Sequence, residues 1–217
     1  VQLLGEVVQE EAGLKLFTDV ELIRKAMVSY RKASAEIKKQ ILSDLYKQIE
    51  NKSKGEQHQI AIAFSLMLEL INSCETAYRT FRLRENKQTH GLSRKKNMLV
   101  YVLTAHPTEA RTSQNIELFH RIQDLGVRIL EESRELDYLL SIIKHNLKLA
   151  WLLPITRHEK PQVVDEARHL FSILLRPDIF DTILRANRDL GIVRVRTWVG
   201  GDKDCLLYTS DAADDSL

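Results

Sequence analysis

Met98-Leu99-Val100-Tyr101-Val102-Leu103-Thr104 is a short run of apolar and β-branched residues, and His106-Pro107 stops it. Proline disfavours α geometry in the residue before it, so the run reads as a buried strand. Ahead of it the texture is helical. Ile60, Ala63, Met67, Leu70, Cys74, Tyr78 and Phe81 recur at steps of three and four, which predicts the buried face of a long helix. Val20, Ile23, Met27 and Tyr30 predict a shorter helix, and Ile37, Ile41, Leu45 and Ile49 another.

Beyond the strand, helical texture resumes after Thr108, read as an N-cap with Glu109 in the first turn. Ile122, Leu125 and Ile129, then Leu139, Ile143, Leu147 and Trp151, carry two more apolar stripes. Pro154 and Pro161 punctuate a linker, and Val164, Ala167, Phe171 and Leu174 open the next helix. Another helix, from Asp178, is expected to end at Gly191 as a left-handed C-cap. A second strand follows, Ile192 to Val199, with Val193, Val195, Thr197 and Val199 on one face and Arg194, Arg196 and Trp198 on the other. Strands so far apart, with helices between them, cannot form a hairpin; they are expected to be parallel, joined by helical crossovers. The predicted fold class is mainly α with a few β-strands.

Composition agrees. The chain has 217 residues, 44% hydrophobic and 29% charged, which suffices for a core and excludes wholesale disorder. Only 8 Gly and 4 Pro leave few turn signals and argue against the all-β classes. A net charge of +2, from 32 Lys+Arg and 30 Asp+Glu, gives no reason to expect nucleic acid as a partner. The richest apolar stretch, Ile60 to Ile71, is interrupted by Ser65 and Glu69, so no membrane partner is expected either. The opening Val1-Gln2-Leu3-Leu4-Gly5-Glu6 has no basic signal-peptide region and no starting Met, which reads as a cut N-terminus. Cys74 and Cys205 offer no disulfide framework, and a reducing, cytoplasmic location is expected.

Two segments carry candidate chemistry. Thr104-Ala105-His106-Pro107-Thr108-Glu109 sits where the first strand stops, the end at which parallel β/α folds present catalytic side chains. A His there can act as base or acid near neutral pH; a loop His satisfied by a carbonyl is the structural alternative. Gly200-Gly201-Asp202-Lys203-Asp204 ends the second strand likewise. Its glycines allow close approach of the backbone to an anion, and Lys203 adds a positive charge; an ordinary charged turn is the alternative. The Arg194/Arg196 face points either into a closed barrel or onto solvent. The chain contains no P-loop, G-x-G-x-x-G, G-x-S-x-G or H-E-x-x-H motif, and its His and Cys residues show no metal-ligand spacing.

Taken together, Val102-Leu103-Thr104-Ala105-His106-Pro107-Thr108-Glu109 resembles the histidine motif of the phosphoenolpyruvate carboxylase family. Trp198-Val199-Gly200-Gly201-Asp202-Lys203-Asp204 is similar to that family's second motif. Weaker likenesses lie at Ala63-Phe64-Ser65 and at Pro161 with Asp165-Glu166-Ala167-Arg168, in the family's order, so the resemblance runs from Leu3 to Asp204. It departs at two places. Thr112 stands where the family carries a basic residue, with Arg111 one position early, about 100° away on a helix. Lys203 replaces an Arg, keeping the charge but losing the planar fork that grips an oxyanion.

The resemblance implies N-terminal helices (1–97) and then the first two parallel strands of an incomplete β/α (TIM-like) barrel (98–204). It implies a carbon–carbon lyase of carbon dioxide fixation, feeding the tricarboxylic acid cycle. That enzyme carboxylates phosphoenolpyruvate with bicarbonate, giving oxaloacetate and phosphate with Mg²⁺ or Mn²⁺. His106 matches the catalytic His, while Arg111, Gly200, Gly201 and Lys203 would bind substrate; the metal ligands are expected downstream. The full-length protein is expected to be a homotetramer. Residues 205–217 break the second motif with three Asp and no Lys or Arg, and read as a non-native, adapter-derived tail. The chain alone is therefore expected to be inactive and, with open strand edges, poorly soluble. The alternative is a non-catalytic helical scaffold derived from the same fold.

Overall fold

The computed structural model describes residues 1–85, 97–103, 112–131, 133–155 and 163–197. Their order is α1 (Gln2–Lys32), α2 (Ala35–Glu50), α3 (Lys54–Glu85), β1 (Asn97–Leu103), α4 (Ser113–Glu131), a 3₁₀ turn (Ser133–Glu135), α5 (Leu136–Leu152), α6 (Val163–Leu174), α7 (Pro177–Leu190) and β2 (Gly191–Thr197). The described chain is mainly helical with two strands, and those strands are parallel neighbours, as the spacing predicted. The chain divides into two compact units, Val1–Asn86 with Glu117–Leu153, and Lys87–Ile116 with Pro154–Leu217.

The first unit is a helical assembly in which α1 packs against α2, α3 and α5, and α5 also meets α3. Val7, Leu66, Leu139 and Leu147 are its most fully buried large side chains. Each contributes about 1.5–3 kcal/mol by leaving water. Polar locks add to this core. Ser53 accepts from the Glu56 amide through Oγ (3.3 Å), and the Glu56 carboxylate accepts in return from the Ser53 amide (3.0 Å). This reciprocal capping box fixes the start of α3. Lys144 on α5 bridges Glu6 (2.9 Å) and Glu10 (2.8 Å) on α1, and Lys148 reaches Glu10 at 2.6 Å.

The helical stripes are only partly where periodicity put them. On α3 the buried positions are Ile60, Ala63, Leu66, Leu70, Ser73 and Ala77, whereas Cys74 and Tyr78 are exposed. The face combines large Ile60, Leu66 and Leu70 with small Ala63, Ser73 and Ala77. A Cβ added at Gly126 of α4 would lie 3.1 Å from the Ala77 Cβ, so the backbone approaches here more closely than a larger side chain at 77 would allow. α1 is interrupted at Gly13, whose φ of 86° and ψ of 165° belong to a region open essentially to glycine alone. In composition and length α3 is apolar enough to cross a membrane, although no single uninterrupted run in the sequence is. One face of it, from Ile60 to Ala77, is buried within the first unit.

In the second unit α7 lies against both strands and against α6. Gly191 is not a left-handed cap: it is the first residue of β2, directly after α7. The Asn187 side-chain oxygen accepts from the Val193 amide (3.2 Å) and closes this loop-free junction. The helix expected to begin with Val164, Ala167, Phe171 and Leu174 is present as α6, where Val164 and Phe171 are exposed while His169 and Leu170 are buried. The apolar side of a 3.6-period pattern marks a face without naming its partner.

Candidate functional site

β1 and β2 form a parallel ladder in continuous register from Asn97↔Gly191 to Leu103↔Thr197. Sequence makes both strands: β-branched Val100 and Val102 face Arg194 and Arg196, while Tyr101 faces Val195. The predicted strand limits, Met98–Thr104 and Ile192–Val199, shift by one residue at the N-terminal ends. Leu103 and Thr197 lie side by side, so the chain leaves both strands at the same end of the sheet. One exit leads into the sequence that contains His106 and the other into the sequence that contains Gly200, Gly201 and Lys203. His106, Arg111, Gly200, Gly201 and Lys203 themselves lie outside the described residues, as do Thr108, Glu109, Trp198 and Val199.

The first described residue after the histidine motif is Thr112, and its role is visible. Its Oγ accepts from the Asn115 amide (3.3 Å) and donates to the Pro154 carbonyl (3.2 Å). Thr112 is thus the N-cap of α4, satisfying the third amide of the helix. α4 as described opens at Ser113, and the cap expected at Thr108 lies outside the described residues. Where the family resemblance calls for a basic side chain, this chain has a cap already engaged on both sides. Asn115, only 2% exposed, donates through Nδ2 to the same Pro154 carbonyl (3.3 Å), and its Oδ1 is buried without a hydrogen-bond partner. Sequence reading passed over this residue, whose burial depends on contact with the remote Pro154.

Strongly shifted carboxyls belong to the helical unit instead. The Lys144 hydrogen bond, joined by Lys148, holds the Glu10 carboxyl at about 2. The Lys15 hydrogen bond, with the Ser53 amide and hydroxyl, holds Glu56 at about 2 as well. Both groups are solvent-facing partners of lysines, a structural rather than catalytic arrangement. A cleft of about 460 Å³ in the same unit is lined by Arg128, Glu131, Arg134, Glu135 and Leu139. Glu131 pairs with Arg84 at 2.7 Å and Glu135 with Arg128 at 3.8 Å, and the lining has no nucleophile. Among the described residues no group of three or more His, Cys, Asp or Glu is gathered that could hold a metal ion.

Comparison with known proteins agrees with the motifs. The family model described as phosphoenolpyruvate carboxylase matches residues 1–99, a span that stops short of His106 and of the Gly-Gly segment. Curated phosphoenolpyruvate carboxylases carry the similarity further. That of Tolumonas auensis is 27% identical over 93% of this chain, that of Aeromonas hydrophila 28% over 94%, and that of Alcanivorax borkumensis 28% over 93%. The chain spans about a quarter of the length of these relatives, 27% of each. The resemblance read from two short motifs is thus a similarity along nearly the whole chain.

Proposed function

We propose that this chain is the N-terminal part of an enzyme that carboxylates phosphoenolpyruvate with bicarbonate, giving oxaloacetate and phosphate. The observation that carries the reading is the parallel register ending at Leu103↔Thr197. In β/α barrels the C-terminal strand ends form the mouth in which chemistry occurs, and both motifs of this chain follow such ends. In this reading residues 98–204 begin the barrel and residues 1–97 form the helical region before it.

The reaction needs a proton acceptor that adds no anion beside a highly charged substrate. A neutral imidazole meets that need, and His106 is assigned the role. A bicarbonate oxygen attacks phosphorus, the bridging P–O bond breaks, and carboxyphosphate and the enolate of pyruvate form. His106 takes the carboxyphosphate proton as the C–O bond to phosphate breaks and CO₂ is released. The enolate carbon then bonds to CO₂, giving oxaloacetate. Lys203, Arg111 and the backbone of Gly200 and Gly201 would hold oxyanions during these steps. A divalent cation, Mg²⁺ or Mn²⁺, would stabilise an enolate when bound; in this reading its ligands are carboxylates downstream of this chain.

The test is oxaloacetate formation, coupled to NADH oxidation by malate dehydrogenase, for the 217-residue chain and for the complete polypeptide encoded at its locus. The reading expects turnover that requires bicarbonate and a divalent cation in the complete polypeptide, and none in the chain alone. A soluble complete polypeptide without turnover would favour a scaffold that kept the fold and lost the chemistry. A cytoplasmic homotetramer is the assembly this reading carries.

A further inference from the structure

Thr112 is held by three hydrogen bonds. Its Oγ accepts from the Asn115 amide (3.3 Å) and donates to the Pro154 carbonyl (3.2 Å), and its own carbonyl accepts from the Ile116 amide (3.2 Å). Asn115, only 2% exposed, donates through Nδ2 to the same Pro154 carbonyl (3.3 Å). The cap itself needs only the Asn115 amide. The two bonds to Pro154 add nothing to the helix and instead tie its first turn, through two side chains on one acceptor, to a segment remote in sequence. Upstream, Leu103 is fixed by the ladder opposite Thr197. The eight residues between these anchors, 104–111, include His106, three positions after Leu103 and six before Thr112.

We infer that Thr112 and Asn115 are positioning residues for His106: their shared hold on the Pro154 carbonyl fixes the downstream end of the histidine segment and, through it, the place of the imidazole. The inference rests on the carboxylase reading for the reaction that His106 serves. A segment fixed at one end samples many more conformations than one fixed at both, and the second anchor removes that freedom before substrate arrives. A proton acceptor works only near its productive geometry, and a displacement of about 1 Å that originates far from the chemistry costs about a hundredfold in rate. The Thr112 hydroxyl is engaged on both sides, so it acts through the segment and not on substrate. Asn115 adds a second donor to the same carbonyl, so loss of one side chain loosens the anchor and loss of both releases it.

The experiment compares Thr112→Val, Thr112→Ser and Asn115→Leu in the complete polypeptide, each also combined with His106→Ala. Oxaloacetate formation gives kcat and KM. Labelling with diethyl pyrocarbonate, read by peptide mass spectrometry, gives the modification rate of His106, with the exposed His58 and His145 as internal references. The inference expects kcat to fall roughly tenfold in Thr112→Val and further in Asn115→Leu, with KM for phosphoenolpyruvate held within about twofold. Thr112→Ser should recover the rate, and neither change should cost anything more once His106 is Ala. The His106 labelling rate should change severalfold in Thr112→Val while His58 and His145 keep theirs. An unchanged His106 labelling rate in folded Thr112→Val would overturn the inference, as would a loss of kcat that persists in full in the His106→Ala background. If the complete polypeptide forms no oxaloacetate, the carboxylase reading fails and labelling alone decides: a changed rate at His106 supports the positioning role, and an unchanged rate overturns it.

Discussion

Leu103 and Thr197 are register partners on neighbouring parallel strands, and each is the last described residue of its strand. Their pairing makes two motifs, far apart in sequence, leave the sheet from adjacent positions. Everything proposed for the chemistry depends on this adjacency, while the energetic anchors around it can be tested one at a time.

Thr112 caps α4 and ties it to the Pro154 carbonyl. Thr112→Val keeps the shape and removes the hydroxyl, so the second unit should lose about 1 kcal/mol. Hydrogen exchange at the Asn115 amide should accelerate roughly fivefold, and Thr112→Ser should restore protection. Unchanged exchange would show that the hydroxyl is not the cap.

Gly13 holds a φ of 86° inside α1. Gly13→Ala places a Cβ on a backbone that excludes it, at a cost of order 1–3 kcal/mol. The midpoint of urea unfolding should fall accordingly. A midpoint that rises, as helix propensity alone would dictate, would mean that α1 is straight at this residue in solution.

Ser53 and Glu56 share the capping box of α3. Ser53→Ala should destabilise the helical unit by roughly 1 kcal/mol, read by thermal unfolding. Adding Glu56→Gln to Ser53→Ala should cost less than the same change in the wild type, because the two side chains act on each other.

Glu10 provides the pH dependence. Its carboxyl is held at about 2 by hydrogen bonds from Lys144 and Lys148, against an ordinary value of 4.5. A carboxyl lowered by folding contributes stability that is fully present above its unfolded value and is lost as pH falls through the folded one. Stability should therefore be flat above about pH 5 and decline between about 4.5 and 2. Glu10→Gln should lower stability at pH 7, flatten part of that decline and converge with the wild type near pH 2. The difference should shrink in high salt, since these groups face solvent.

The strands and their parallel relation were legible in the sequence because hydrophobic runs stopped by His106-Pro107 and Gly200-Gly201 leave few alternatives. Helix existence was legible for the same reason of period. Helix faces were less so: Tyr78 and Phe171 fit a 3.6 period yet are exposed, because packing at Ala77 and His169 decides which flank is covered. The cap of α4 was not legible, because the contact of Thr112 with the Pro154 carbonyl joins residues remote in sequence. Gly191 looked like a helix terminator but serves as the first residue of a strand, since Asn187 closes the junction without a left-handed turn. Of the candidate site, the strand ends were readable from pattern, whereas Asn115 was not, because burial of a polar side chain depends on neighbours remote in sequence.

The most direct test of the central claim is the rate of oxaloacetate formation by the complete polypeptide and its His106→Ala variant, measured with and without bicarbonate. The account predicts bicarbonate-dependent oxaloacetate formation that falls by at least a hundredfold in the variant, with folding and phosphoenolpyruvate binding retained. Turnover that survives the loss of His106 would contradict it.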